Sequence, residues 1–361
     1  MKRLWLLLAL CLLAFQPALA DTFLTGGQLG RYGIQMSGFR LMTLSGNGRV
    51  LIGSEKEMDL KLRATGYGYK MRVFHFDGSG ISTVDTIPLP VSVWDQTAIN
   101  DDGTQAIIST ELGARIYAVD LVSKTLHLLM QRKPGEPGFR NDPRIIWFDG
   151  QSFCMIGYYY DGNGIAGLDV VVRLDLSQDG VHIFQQLTDL LHVDKKTSPR
   201  YMLRIVSSPD QAVFLGPIKA DGQELKLYYK GNVSVLDKGV VYGTVAATPG
   251  RVLYAIRRRG KIQHKETWLQ DVTSNARWQI GKTDVPYQYG FISRDGKTVA
   301  LSVFDIPHQA LSMFYARQGD KFTVRPIGGL QAVRVGNFRL SKDGKTWAYL
   351  SSEGLRLGLL P

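Results

Sequence analysis

The sequence predicts an all-β protein, a seven-bladed β-propeller built from four-stranded antiparallel blades. Three observations lead to this fold class: a turn motif that recurs at a mean interval of about 49 residues, short β-branched and aromatic runs on both sides of each turn, and a last unit that lacks one strand. The 361 residues, 44% of them hydrophobic, are enough to bury the core that such a fold needs.

The repeated motif reads Ser-x-Asp-Gly-Lys and is followed by an apolar run. Its clearest copies begin at Ser293 and Ser341, and related copies begin at Ser45 and Asn100. Asp-Gly and Asn-Gly tolerate positive φ, so each copy predicts a tight turn between two strands. The fourth motif residue or its equivalent marks seven positions in the chain: 48, 103, 150, 211, 250, 296 and 344.

Two further strand-like runs follow the hairpin in the middle units, which gives four antiparallel strands per unit. These runs are residues 114–121 and 125–131, 170–176 and 181–188, 224–230 and 233–238, 267–272 and 276–282, and 311–317 and 322–327. Four strands in each of seven units describe seven blades.

The two ends of the chain are expected to meet. The seventh unit has runs at 338–341, 346–351 and 355–360, whereas residues 22–37 precede the first hairpin without a blade of their own. We therefore expect part of the N-terminal segment to complete the last blade and to close the ring. The alternative, a row of separate β-domains, does not account for the regular spacing or for the missing strand.

The first twenty residues read as a secretory signal peptide. Lys2 and Arg3 precede an apolar run at 4–15, and residues 18–20 are Ala-Leu-Ala, the small-x-small pattern of a cleavage site. The apolar run is shorter than the roughly 20 residues that span a bilayer, which disfavours a membrane anchor. We expect a signal peptide at 1–20, one propeller domain at 21–361, no transmembrane segment after cleavage, and a periplasmic or secreted location.

Cysteine and histidine usage argues against disulfide and metal chemistry. Cys154 is the one cysteine left after cleavage, and it lies in an apolar run that predicts a buried thiol. The six histidines show no His-x-x-x-His or similar spacing, and the sequence has no Gly-x-Ser-x-Gly elbow. We expect no cofactor, no metal and no catalytic residue, with a metal site assembled across blades as the open alternative.

The motif, together with runs such as the Ile-Tyr-Ala-Val-Asp-Leu of residues 116–121, resembles the repeat of TolB-like propellers. These proteins are related to the wider group of WD-type propellers, and many of them are exported. The resemblance covers essentially the whole mature chain. It implies the propeller fold and is unspecific for activity.

A binding face is expected where the loops between blades and the loops between second and third strands open together. Cationic residues and tyrosines concentrate in these segments, and the loop-face candidates are Arg140, Tyr158, Tyr159, Tyr160, Arg200, Arg257, Arg258, Arg259 and Tyr287. This mixture suits an anionic or glycan-like ligand or an acidic protein. A solvated basic surface without a specific ligand is the alternative.

A second candidate site lies at the mouth of the central channel. The residue four positions before each motif serine is expected near the start of an innermost strand. Four of these residues are polar and form the channel-mouth candidates: Gln96, Arg204, Tyr289 and Asn337. A water-filled channel is the alternative for this cluster.

The charge balance bears on the choice of function. Lysine and arginine number 43 against 32 acidic residues, a formal net charge of +11, which in an exported protein fits an envelope ligand better than a nucleic acid. The sequence favours an exported, non-catalytic, monomeric propeller that binds a protein partner or an anionic or glycan-like ligand at the cell envelope. The alternatives are a lactonase, lyase or hydrolase with a site on the central axis, and the propeller subunit of a periplasmic dehydrogenase.

Overall fold

The computed structural model describes residues 22–58, 67–77, 79–91, 94–111, 113–131, 138–160, 166–175, 182–186, 202–208, 210–216, 223–240, 245–258, 264–283, 287–305, 309–318, 321–325 and 338–360. These residues form 28 strands, one short α-helix and one 3-10 turn, so the predicted all-β class is confirmed. In this part of the chain, no helix has the length and the apolar character that crossing a membrane requires.

The elements are numbered in chain order, with α1 at Gly26–Arg31 and the 3-10 turn at Met36–Gly38. The strands are β1 (Thr22–Thr25), β2 (Phe39–Leu44), β3 (Val50–Met58), β4 (Tyr67–Phe76), β5 (Ile81–Leu89), β6 (Trp94–Ile99), β7 (Gln105–Thr110), β8 (Arg115–Asp120), β9 (Thr125–Gln131), β10 (Gly138–Phe148), β11 (Ser152–Tyr160), β12 (Ala166–Asp175), β13 (His182–Gln186), β14 (Met202–Ser208), β15 (Gln211–Leu215), β16 (Gln223–Tyr229), β17 (Asn232–Val240), β18 (Ala246–Thr248), β19 (Arg251–Arg258), β20 (His264–Asp271), β21 (Arg277–Thr283), β22 (Tyr287–Ile292), β23 (Thr298–Asp305), β24 (Gln309–Gln318), β25 (Lys321–Arg325), β26 (Phe338–Leu340), β27 (Thr346–Leu350) and β28 (Gly354–Leu359).

The strands pair antiparallel and fall into groups of four in chain order, beginning with β2. Groups one, two, three and six are separate four-stranded sheets: β2–β5, β6–β9, β10–β13 and β22–β25. Groups four (β14–β17) and five (β18–β21) share one larger sheet, because Val240 of β17 pairs with Ile256 of β19. Antiparallel sheets of four strands are thus confirmed, while the number of blades stays a prediction.

Group seven joins the two ends of the described chain. Its strand order is β1-β28-β27-β26, and Thr22 to Thr25 pair with Leu357 to Gly354. The N-terminal strand therefore lies beside β28, at the position the sequence leaves open, while closure of a ring by this strand stays a prediction.

Thr25 and Gln28 then form a capping box at the start of α1, since each side chain accepts from the backbone N–H of the other residue.

A buried ion pair holds the segment after α1 against the first group. Arg72 on β4 donates from Nε to Glu55 Oε2 on β3 at 2.6 Å, and the two side chains are 6% and 5% exposed. Arg72 Nη2 also donates to Gly33 O at 2.7 Å, and the Gln35 N–H donates to Glu55 Oε1 at 2.7 Å. The backbone at 33–35 thus supplies hydrogen bonds that a buried ion pair needs.

The apolar core lies between neighbouring groups. Ile52 and Val73 of the first group pack in one cluster with Ile108 of the second. The clusters connect the groups in this order: first with second, second with third, fourth with fifth, fifth with sixth, sixth with seventh, and seventh with first. At about 25 cal/mol per Å² of buried apolar surface, these contacts make each sheet depend on its neighbours for stability.

Candidate functional site

The repeated motif forms a turn that is hydrogen-bonded from within. Ser341 Oγ donates to Asp343 Oδ1 at 2.5 Å and accepts from the Thr346 N–H at 2.9 Å, and Asp343 Oδ1 also accepts from the Lys345 N–H at 3.0 Å. The copies at 45–50 and 293–298 repeat these three bonds. Gly344 has a φ of 72°, which favours glycine. This turn joins the end of the first strand to the start of the second strand. We call the end of each sheet where the turn lies the motif edge. The other end, where the first strand starts and the second strand ends, is the opposite edge.

Neighbouring motif turns are also bonded to one another. Three backbone hydrogen bonds link four turns: Arg294 N–H to Lys342 O (2.6 Å), Asp343 N–H to Gly46 O (2.9 Å) and Asn47 N–H to Asp101 O (2.8 Å). They connect the turns of groups six, seven, one and two in that order. The turns nearest to the two ends of the chain are therefore direct neighbours.

The side chain of Asp101 joins three of these turns. Lys342 Nζ of the seventh turn lies 2.6 Å from Asp101 Oδ1, and Arg294 Nη2 of the sixth turn contacts Asp101 Oδ2. Burial opposes ionisation of Asp101, but the hydrogen bonds and charges of Lys342 and Arg294 outweigh it, so the pKa of Asp101 is lowered. We call these three residues the motif-edge ion cluster.

Gly46 allows this cluster to form across the first turn. It stands at the second motif position, the position of Asp101, Arg294 and Lys342 in their own copies. A Cβ at Gly46 would lie 2.6 Å from Asp101 Oδ1 and 2.9 Å from Asp101 Cα. The close approach of Asp101 thus requires glycine here, a requirement that the motif pattern alone does not reveal.

A half-buried arginine connects the first strands of groups seven and one. Arg339 on β26 donates from Nε to Met42 O and from Nη2 to Leu41 O, both at 2.8 Å. Burial lowers the pKa of Arg339, yet an arginine stays charged in proteins. The arrangement places a positive charge on the innermost strands that the sequence predicts to line a channel.

Three of the four channel-mouth candidates lie near the start of a first strand. Gln96, Arg204 and Tyr289 are the third residues of β6, β14 and β22, and Asn337 lies outside the described residues. Register shifts occur at each of the three positions: Trp94/Gln96, Leu203/Ile205 and Tyr287/Tyr289. Such bulges re-aim side chains and are frequent beside functional sites, but the sequence carries no signal for them. Ligand binding by these residues stays a prediction.

The third group corrects one part of the loop-face prediction. Arg140 and Tyr158 to Tyr160 are expected in loops, but Arg140 lies on β10 and the three tyrosines end β11. The register pairs Arg140 with Tyr158 and Gly138 with Tyr160. The hydrogen-bond ladder continues past the apolar run, because tyrosine favours strands as strongly as the aliphatic residues before it.

The other loop-face candidates flank loops at the opposite edge. Arg257 and Arg258 end β19, Tyr287 begins β22, and Arg200 and Arg259 lie outside the described residues. In an antiparallel group, the end of the second strand and the start of the first strand share one edge. The described candidates, including those of the third group, all lie at this opposite edge. Their binding role stays a prediction.

The described side chains offer little for metal or proton-transfer chemistry. No cluster of three or more His, Cys, Asp or Glu side chains suited to a metal ion occurs in the described ranges.

His75 Nε2 lies 3.1 Å from Asp85 Oδ2, but Lys124 Nζ lies 2.6 Å from the other oxygen of Asp85. The hydrogen bond from Lys124 is the largest influence that lowers the pKa of Asp85. The three residues thus form a charged contact between groups one and two.

Comparisons with known proteins identify the fold. No protein-family model matches the chain, and no curated protein matches it by sequence. Among solved structures, an oligogalacturonate lyase from Vibrio parahaemolyticus has a TM-score of 0.59 at 9% identity and covers 89% of both chains. A chain of the mitotic checkpoint complex has a TM-score of 0.54 at 12% identity, over 94% of this chain and 93% of that one.

The β-propeller domain of the Trilobed protease from Pyrococcus furiosus has a TM-score of 0.51 at 13% identity, over 88% of this chain and 94% of that domain. At such identities the similarity concerns the fold alone. The fold-level resemblance to β-propellers that the sequence predicts is confirmed.

Proposed function

We propose that the protein is an exported, non-catalytic, seven-bladed propeller whose opposite edge binds a protein partner or an anionic, glycan-like ligand at the cell envelope. The proposal includes a ring closed by β1 in the last blade. It also assigns the loop-face candidates and the channel-mouth candidates to the binding surface.

The proposal of seven blades is supported by the grouping of the strands. Seven groups of four follow each other in chain order, and the single pair Val240–Ile256 joins the fourth to the fifth. Apolar contacts between the seventh and first groups, the turn-to-turn hydrogen bonds and the motif-edge ion cluster all favour a ring in which these groups are neighbours.

The observation that carries the binding proposal is the placement of cations and tyrosines. The described loop-face candidates belong to three different groups, three, five and six, and all lie at the opposite edge. Arginine and tyrosine are enriched in the interfaces of protein complexes. A surface assembled in this way from distant parts of the chain suits a ligand that carries negative charge.

Export is supported by the order of segments at the N-terminus. The signal-like residues 1–20 lie outside the described residues, and β1 begins at Thr22, two positions after the expected cleavage site. The fold thus makes use of the chain immediately after that site. N-terminal sequencing of the protein released from producing cells tests this: a start at Asp21 is expected, and an intact Met1 in the released protein contradicts export by cleavage.

A capture experiment tests the binding proposal. The mature protein is immobilised and used to recover partners from an envelope extract of the producing cells. We expect Arg257→Gln/Arg258→Gln/Arg259→Gln to lose the specific partner, because the cationic surface is removed. The matched control is Arg49→Gln/Lys297→Gln/Lys345→Gln, which removes three exposed cations from the motif edge. Equal recovery of the partner by the wild-type protein and by the triple-arginine variant contradicts the proposal.

An enzyme of the same fold is the second candidate, favoured by the similarity to oligogalacturonate lyase over 89% of both chains. That protein's name indicates a lyase whose substrate is a polyanionic glycan. Incubation of the purified protein with oligogalacturonate separates the two functions. Chain cleavage, together with a stoichiometric divalent ion in the protein, would favour the enzyme over the binding protein.

A further inference from the structure

The motif-edge ion cluster joins turns that are not neighbours along the row of groups. Arg294 Nη2 of the sixth turn contacts Asp101 Oδ2 of the second turn, and Lys342 Nζ of the seventh turn lies 2.6 Å from Asp101 Oδ1. The backbone hydrogen bonds connect the turns in the order six, seven, one and two. Asp101 and Arg294 therefore belong to turns that are three steps apart, with two other turns between them.

In the proposed ring of seven groups, three steps is the largest separation that two groups can have. The path from the sixth turn to the second has three steps through the seventh and first groups, and four steps the other way round. Because the blades of a propeller surround a central channel, two turns so placed stand on opposite sides of it. The side chains of Arg294 and Asp101 can then meet only across the end of the channel.

Gly46 shows which way the side chain of Asp101 runs. A Cβ at Gly46 would lie 2.6 Å from Asp101 Oδ1, so the carboxylate lies against the first turn on the side that leads to the seventh. The second motif residues of four successive turns therefore converge on one place: Gly46, Asp101, Arg294 and Lys342. The three charged side chains are 37% to 55% exposed, which fits a position at the end of a channel better than one inside a core.

The first strands of groups seven and one are joined directly beside this cluster. Arg339 of β26 precedes the motif serine Ser341 by two positions, and its Nε and Nη2 donate to the carbonyl oxygens of Met42 and Leu41 at 2.8 Å. Both carbonyls belong to β2, the first strand of group one. The wall formed by these two strands is thus bridged by hydrogen bonds just inside the cluster.

We propose that the motif-edge ion cluster closes the motif-edge end of the central channel, which makes the channel a pocket with its entrance at the opposite edge. The inference rests on the proposed function, since it needs the ring of seven blades, and it adds the route by which a ligand reaches the channel. The loop-face candidates and the channel-mouth candidates then border the same entrance. A ligand that extends into the channel has to bind from that face.

The test measures how far a small neutral probe enters the channel from each end. The probe is the nitroxide TEMPOL, and the readout is the paramagnetic relaxation enhancement of backbone amides in the purified, deuterated mature protein. The reporters lie in the motif-edge halves of two first strands, Met42 and Thr43 in β2 and Thr97 and Ala98 in β6. The amides at the starts of the same strands report entry from the opposite edge.

The cluster variant is Arg294→Ala/Lys342→Ala, which removes the two long side chains that meet Asp101. Its matched control is Lys297→Ala/Lys345→Ala, which removes two exposed cations from the same two turns. Circular dichroism checks that both variants are folded. If the cluster variant does not fold, the profile along the strands of the wild-type protein decides the question by itself.

In the wild-type protein, we expect the enhancement to fall along β2 and β6 from the opposite edge towards the cluster. We expect the cluster variant to raise the enhancement at the four reporters about twofold or more, because the channel is then open at both ends, and the control to leave it unchanged. Equal enhancement at both ends of the wild-type strands, or equal values in the cluster variant and the control, overturns the closed end and leaves the proposed function standing. Absence of enhancement along these strands in every protein contradicts the channel itself, and with it the ring in the proposed function.

Discussion

The two edges of the sheets differ in the charged residues that the structure places side by side. At the motif edge, Arg294 and Lys342 meet on the carboxylate of Asp101, and those contacts tie three turns together. At the opposite edge, Arg257 stands across from Lys265. The difference teaches that cations of the motif edge stabilise the fold by joining distant turns, whereas the role that we propose for cations of the opposite edge is the binding of a ligand.

In the first group of strands, a cation that lies towards the opposite edge also stabilises the fold. Arg72 and Glu55 lie towards the opposite edge, yet both are buried and the backbone of residues 33–35 is bonded to them. A cation at this edge therefore serves the fold where the N-terminal segment covers it. The comparison between cations is sharpest when a buried cation, such as Arg72, and an exposed cation are removed in separate variants.

The largest effect is expected from Arg72→Met, which leaves the buried Glu55 carboxylate without its cation. Removing one partner of a buried ion pair costs about 3–5 kcal/mol. The same change frees the Gly33 carbonyl, so we expect the N-terminal segment to loosen as well. Urea unfolding measures the loss of stability, and amide exchange at residues 33–35 measures the loosening.

The control for this variant is Arg115→Met. Arg115 also contacts a glutamate, Glu111 at 3.1 Å, but these side chains are 32% and 31% exposed. Exposed pairs contribute about 0–1 kcal/mol, so the control is expected to stay within that range. If the two variants lose a similar amount of unfolding free energy, burial does not decide how much these cations stabilise the fold.

A smaller effect is expected from Asp101→Asn, which removes the charge that joins three motif turns. The contacts are partly exposed, so a loss of about 0.5–1.5 kcal/mol is expected near neutral pH. The pKa of Asp101 is lowered from its ordinary value of 3.8, so its contribution is present above that value and is lost as the pH falls through the folded-state pKa.

Urea unfolding of wild type and Asp101→Asn at neutral pH and below pH 3.8 checks this expectation. We expect the difference between the two proteins to shrink as the pH falls below 3.8 and to vanish below the folded-state pKa of Asp101, where the wild-type carboxylate is protonated. Gly46→Ala is a second way to disturb the cluster, since a Cβ there meets Asp101. If the gap between wild type and Asp101→Asn is constant with pH, the charge of Asp101 does not stabilise the turns.

Local features of the fold were predictable from the sequence because they depend on neighbouring residues. Ser341, Asp343 and Gly344 form their turn through bonds that span at most five positions, so the motif alone predicts the hairpin. The pairing of β1 with β28 was predictable for a different reason. The repeat leaves one strand missing at the C-terminus and one spare segment at the N-terminus, and only their pairing satisfies both.

The contacts of the candidate site were not predictable, because they depend on distance in space rather than in sequence. Asp101 meets Arg294 and Lys342 across 193 and 241 positions, and nothing in the motif states which turns are neighbours. The like-charged pair Arg257–Lys265 needs the register of the hairpin, which the sequence leaves open between residues 258 and 264. The strand extension through Tyr160 was missed because loops and strand ends contain the same residue types.

The smallest expected effect compares the two ends of one hairpin. Lys265→Gln removes a like charge opposite Arg257 and is expected to raise stability by a few tenths of a kcal/mol. Asp271→Asn removes the opposite charge beside Arg251 but keeps an oxygen for the N–H groups of Thr273 and Ser274, so a loss of similar size is expected. Parallel urea titrations of these variants and wild type measure both signs. A loss in both variants would mean that Lys265 stabilises the fold and that its register partner Arg257 does not repel it. A gain at one end and a loss at the other, on the same two strands, would show that the charges paired by the register decide the sign of each effect.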